Sequence, residues 1–79
     1  MDLLAELTGV FRTVFDDDGL EISRSTTARD VDGWDSVMHV TLIIKVEQAF
    51  GVRFTSAEVA ALSTVGDLVD QVKRKLAAR

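Results

Sequence analysis

Leu3, Leu4, Leu7, Val10, Phe11, Val14 and Phe15 recur at spacings of three and four. That is the apolar stripe of an amphipathic helix rather than the alternation of a strand. With Asp2 as its N-cap, the pattern predicts a first helix from Asp2 to about Phe15. Asp16-Asp17-Asp18 then sets negative charge at the negative end of the helix dipole, and Gly19 offers a residue that tolerates positive φ, so the helix stops there. From Leu20 to Asp35 no helical period survives, which predicts one long loop with Ile22, Val31 and Trp34 as apolar anchors. A loop longer than about 15 residues in a compact domain is usually functional or tied down.

A stronger helix follows from Ser36 to Phe50, opened by Asp35 and closed by Gly51 as the residue past its end, with Val52 placed for the accompanying apolar contact. Thr55-Ser56-Ala57-Glu58 fits a capping box and starts a short third helix through about Leu62. Ser63-Thr64-Val65-Gly66-Asp67 is a second cap signal. Val65, Leu68, Val69, Val72 and Leu76 form the stripe of a last helix, whose basic end complements its dipole. The fold expected is all-α, a single domain over residues 1–79 built as a bundle of three long helices and one short, with a long first loop.

On a wheel of about 100° per residue, His39, Leu42, Ile43, Val46, Ala49 and Phe50 share the core face of the second long helix. Val37, Val40, Thr41, Ile44 and Gln48 fall on the other side. Three aliphatic residues on a side that should face water are either the scattered exposed apolar residues ordinary in soluble proteins or a docking strip beside Ser36. The space between the last three helices, lined by Val46, Phe50, Phe54, Val59, Leu62, Leu68 and Val72, is assigned to the core.

Composition narrows the chemistry. The 79 residues contain no Cys, no Pro and a single His. A chain of this size buries only about 60% of its unfolded surface, leaving no room for a deep active-site cleft. There is no disulfide framework, no thiolate or histidine metal site and no cysteine nucleophile, so any thiol in use must come from outside the chain. Four of the nine basic residues lie at Lys73, Arg74, Lys75 and Arg79, leaving five basic against thirteen acidic residues in 1–72, a net of −8. Such a body repels phosphate backbones, and no nucleic-acid partner is expected. No basic segment precedes a long apolar run and no stretch approaches about 18 apolar residues, so neither a secretory leader nor a membrane span is expected. A monomer in the cytoplasm is the expected state.

Ser36 stands at the first helical position, beside free main-chain N–H groups and the positive end of the dipole, a setting that favours an attached phosphate. No base is placed to activate it as a nucleophile, since the one His lies on the core face, and no catalytic residue is assigned.

Gly33-Trp34-Asp35-Ser36-Val37, followed by Val40, Leu42, Val46-Glu47, Phe50-Gly51-Val52, Glu58 and Ser63-Thr64-Val65, resembles the acyl carrier proteins over essentially the whole chain. The resemblance implies that Ser36 receives 4′-phosphopantetheine from coenzyme A through a phosphopantetheinyl transferase. It also implies that the thiol of this arm carries acyl groups as thioesters between enzymes of fatty-acid, polyketide or related specialised biosynthesis. Acyl-loading, condensing or acyltransferase enzymes are the implied partners, and the base and metal for arm transfer belong to the transferase. Asp35, Val37, Val40, Ile44 and Glu47 are the implied docking residues. Trp-Asp-Ser with His39 three residues on resembles a subgroup of discrete bacterial carriers. An aminoacyl or peptidyl carrier uses the same serine and arm, and an unmodified helical adaptor of the same fold is the alternative from another class.

His39 is read as hydrogen-bonded to the backbone of the long loop, with direct contact to a partner as the alternative, and Trp34 either as an anchor for the arm or a partner or as a fastener of that loop. Many members of the family place several acids along the second helix, whereas this one has Met38, Thr41, Lys45, Gln48 and Ala49 and keeps only Asp35 and Glu47. Charge complementarity mainly sets association rate and partner choice. Recognition is therefore expected to be apolar: turnover by a partner enzyme should persist in moderate salt and fall for Val40→Ala and Ile44→Ala. Collapse with salt alone, with both variants unimpaired, would overturn this expectation.

Overall fold

The computed structural model describes residues 2–78. Asp2 caps the first helix, α1 (Leu3–Val14), by accepting the Ala5 N–H at 3.2 Å. Its end differs from the expectation. Asp16, not Gly19, takes the left-handed conformation, at φ 51°. The Asp17 N–H returns to the Arg12 carbonyl at 3.0 Å and the Asp16 N–H to that of Thr13 at 3.4 Å, a Schellman closure. The physical reason is Phe15, whose ring packs on Phe11 and Trp34, so the chain must reverse immediately after it. A short polar side chain such as Asp tolerates that conformation better than most.

The second helix, α2 (Ser36–Phe50), is capped by Asp35, which accepts the Met38 N–H at 2.9 Å. At its end Gly51 sits at φ 66°, the Val52 N–H reaches the Glu47 carbonyl at 3.2 Å, and Val52 is buried, as the sequence implies. The third helix, α3 (Ser56–Ala60), has the expected capping box: Thr55 N–H donates to Glu58 at 2.8 Å and Glu58 N–H to the Thr55 hydroxyl at 3.1 Å. It stops two residues short of Leu62, because Thr64 must be extended, at φ −130° and ψ 164°, to cap the last helix, α4 (Val65–Ala77).

Leu7 and Phe11 of α1, Leu42 and Val46 of α2, and Leu68 and Val72 of α4 form the centre of the core, each at most 2% exposed. Ala49 departs from the wheel: it is exposed, on the wall of a groove of about 550 Å³ where α1 and α2 separate, and its methyl is too short to bridge the gap. No helix among the described residues is long and apolar enough to cross a membrane.

The long first connection is tied down, and main-chain hydrogen bonds do most of the tying. The first-turn N–H groups of α4 have no partner within their own helix. Here the Val65 N–H donates to the Thr26 carbonyl at 2.9 Å and the Gly66 N–H to the Arg24 carbonyl at 2.8 Å. The Arg24 side chain then reaches both carboxylate oxygens of Asp70 at 3.0 Å. Val31 is buried, while Ile22 and Trp34 are half-buried against the core, so all three expected anchors do anchor. One element was not expected: a 3-10 turn, Ala28–Asp30, closed by a box in which Asp30 accepts the Thr27 N–H at 2.8 Å. Its Thr-x-x-Asp spacing is visible in the sequence.

Around α3, Lys75 meets both Glu58 carboxylate oxygens at 2.8 Å and lies 5.2 Å from the Phe54 ring centroid. These contacts hold Glu58 below its ordinary carboxyl range, with Lys75 the larger cause and the Thr55 N–H next. Asp67 is lowered by the N–H groups of Ser63 and Thr64, at 3.0 and 3.1 Å.

Two predictions follow from this packing. A Cβ on Gly66 would lie 2.9 Å from the Arg24 carbonyl oxygen, whereas one on Gly9 meets nothing within 4 Å. Gly66→Ala should cost about 1–3 kcal/mol, lowering Tm by roughly 5–20 °C, while Gly9→Ala inside α1 should gain up to about 1 kcal/mol. Equal thermal scans for the two variants would contradict this account of the loop clamp. Because the Asp67 carboxyl is lowered in the folded state, its contribution is complete above its unfolded value, near pH 4, and is lost as pH falls through the folded one. Acid titration of Asp67→Asn should therefore show a shallower loss of stability below pH 4 than the parent.

Candidate functional site

The chain enters α2 through a tight corner. Gly33 takes φ 86°, a conformation strained for any other residue type here, while the Trp34 N–H donates to the Val31 carbonyl at 3.2 Å and the Asp35 N–H to that of Gly33 at 3.0 Å. The corner delivers Asp35 as the cap and Ser36 as the first helical residue, exposed to solvent. Asp35 satisfies Met38, and the Asp35 carbonyl takes the His39 N–H at 2.8 Å. The N–H groups of Ser36 and Val37 have no acceptor among the described residues, so both are open to a ligand at the positive end of the helix.

Trp34 is a loop fastener. Its ring meets Phe11 edge-on at 5.2 Å and Phe15 at 6.1 Å, and it lies edge to edge with the His39 ring, centroids 5.9 Å and planes 19° apart. Its indole N–H donates to His39 Nδ1 at 3.0 Å. His39 thus does bond the loop, but through a side chain rather than the backbone expected from sequence. The correction has a simple cause: the corner at Gly33 folds Trp34 back over the first turn of α2, so its ring reaches His39 before any carbonyl does.

Beside Ser36 lies an open pocket of about 410 Å³ whose walls include Ala28, Trp34, His39, Ser63 and Thr64. Leu62 and Leu68, assigned to the core from sequence, line it as well. Sequence reasoning did not find this pocket, because its walls come from the 3-10 turn, the start of α2 and the α3–α4 junction, which no spacing connects.

Of the expected docking residues, Val37, Val40 and Ile44 are 73%, 56% and 46% exposed and follow one stripe from Ser36 and Asp35 down α2. Glu47, at the far end, is half-buried and its Oε2 accepts the Phe54 N–H at 2.8 Å, so one of its oxygens is committed to holding the α2–α3 connection.

The family model describing the phosphopantetheine attachment site matches residues 2–72. An acyl carrier protein of Arthrobacter sp. (strain FB24) is 38% identical over 68 residues, covering 80% of this chain and 82% of the relative. This chain belongs to the acyl carrier protein family. Another such protein, from Renibacterium salmoninarum, is 37% identical over 71 residues, covering 84% of this chain and 85% of that one. The solution structure of a holo acyl carrier protein from Geobacter metallireducens superposes with a TM-score of 0.92 at 45% identity, over 99% of this chain and 90% of that one.

This acyl carrier uses covalently attached 4′-phosphopantetheine, and membership implies dealings with a phosphopantetheinyl transferase and with biosynthetic enzymes. The residues at the head of α2 fit the group: an exposed hydroxyl, two unclaimed N–H groups for a phosphodiester and an open pocket alongside.

Removing the His39 imidazole leaves the half-buried Trp34 N–H without its acceptor. His39→Ala should cost about 1–3 kcal/mol, a fall of roughly 5–20 °C in Tm. It should also change the emission of Trp34, the only tryptophan in the chain. An unchanged Tm and emission spectrum would show that the pair does not fasten the loop.

Proposed function

We propose that Ser36 is the residue esterified by 4′-phosphopantetheine, and that residues 1–79 form one carrier domain, monomeric and cytoplasmic, without turnover of its own. The observation that carries this reading is the exposure of Ser36 at the first position of α2, on a turn already capped by Asp35. Capping by Asp35 matters because it leaves the serine hydroxyl uncommitted: with Met38 N–H satisfied, Ser36 need not fold back as a cap. In the transfer, Ser36 Oγ forms a bond to the phosphorus carrying pantetheine, the bond from that phosphorus to the nucleotide half of coenzyme A breaks, and the hydroxyl proton leaves to a base on the transferase. The Ser36 and Val37 N–H groups favour the resulting phosphodiester anion. When attached, the group supplies a terminal thiol that carries acyl groups as thioesters.

Asp35 has a second part to play here. Its carboxylate stands exposed next to the modified serine, the position from which a transferase distinguishes this turn from an ordinary helix start. Val37, Val40 and Ile44 form the apolar strip on which partner enzymes seat, with Glu47 at its edge. Incubation with coenzyme A and a broad-specificity transferase should raise the intact mass by one phosphopantetheinyl group, and Ser36→Ala should abolish the gain. No gain in the parent, or a gain that survives Ser36→Ala, would overturn the assignment.

A further inference from the structure

His39 has a donor to spare, and the residue lines the pocket that begins at Ser36. Nδ1 accepts the Trp34 indole N–H at 3.0 Å, so it carries no proton, and the neutral imidazole must hold its proton on Nε2. No hydrogen bond among the described residues uses Nε2. Among the described residues no buried side-chain nitrogen or oxygen lacks a partner either, so Nε2 opens to solvent. His39 and Ser36 are three residues apart, neighbours on the surface of α2, and both line the same pocket.

The rest of that pocket selects a chemistry. Trp34, Leu62 and Leu68 supply apolar wall, and Ser63 and Thr64 supply hydroxyls. No cationic side chain lines it, and its single carboxylate, Asp35, is engaged in capping α2. Such a surface suits a neutral chain that joins a dimethyl carbon, a hydroxyl and amides through short methylene links, and its volume falls in the range of small-molecule sites. Beyond its phosphate, pantetheine is a chain of that kind.

We infer that His39 is a positioning residue for the prosthetic arm: Trp34 holds it as the Nε2–H tautomer, and that N–H donates to a neutral acceptor of the arm lying in this pocket. The arm of the resting carrier is then held against the protein rather than free in solvent. The inference rests on attachment at Ser36. Trp34 serves it indirectly, by fixing the ring and the tautomer, so the loop that Trp34 fastens also determines how the arm is held.

The test uses the full chain converted to its holo form with coenzyme A carrying 15N in both pantetheine amides, observed by NMR relaxation of those amides. In the parent, the amide nearer the phosphate should show backbone-like order. His39→Phe keeps an aromatic ring against Trp34 but has no N–H, and should lose that order to the level of free coenzyme A; His39→Gln, which restores a donor, should regain it. The protein's own amide spectrum confirms that each variant is folded, and a His39→Phe that does not fold leaves the parent and His39→Gln to decide. Arm amides as mobile in the parent as in free coenzyme A, or ordered only once an acyl group is loaded, would overturn the inference, as would equal order in a folded His39→Phe. Failure of the label to attach would instead overturn the Ser36 assignment beneath it.

Discussion

The arrangement depends on one capping exchange: the first two N–H groups of α4 are satisfied by the carbonyls of Arg24 and Thr26, in the middle of the long loop. Each such group, left unpaired, would be costly once turned away from water. By giving them loop carbonyls as partners, the chain solves the end of α4 and the placement of a segment with no regular structure in one step. Gly66 is the residue that permits it, since a side chain there would collide with the carbonyl it must approach. The Arg24 side chain adds a second contact to α4, an exposed ion pair with Asp70.

From that clamp the loop runs through the 3-10 turn and buried Val31 to the corner at Gly33, and so into Trp34, Asp35 and Ser36. The turn that presents Ser36 is thus held from two directions: from α4 through main-chain bonds, and from α1 through the ring contacts of Trp34 with Phe11 and Phe15. What remains exposed, Ser36 and the aliphatic strip below it, stands on a firm platform. A small domain can offer a partner a well-defined surface only if the residues behind that surface are fixed by others.

The charges are also employed mainly inward or locally. Glu47 holds Phe54, Glu58 and Asp67 close capping boxes, and Lys75 ties α3 to α4 while lying against Phe54. Little of the charge falls among the aliphatic side chains of the α2 strip, although the chain's net charge is −4.

Much of this was determined by the sequence alone. The caps at Asp2, Asp35, Thr55 and Thr64, the closure at Gly51 and Val52, the anchors of the long loop and the exposed position of Ser36 all follow from interactions within a few residues, where spacing is geometry. The departures have one origin. Asp16 rather than Gly19 takes the left-handed turn because Phe15 must reach Trp34; α3 ends early because Thr64 must cap α4; Ala49 is exposed because α1 and α2 part; His39 bonds an indole because Gly33 folds it there. Each depends on where a second element stands, and the pocket beside Ser36, walled by three segments distant in sequence, depends on it most. Local hydrogen bonding and periodicity specify the helices and the serine; the distance between helices, set by side-chain packing and a loop tied to α4, decides what surrounds that serine.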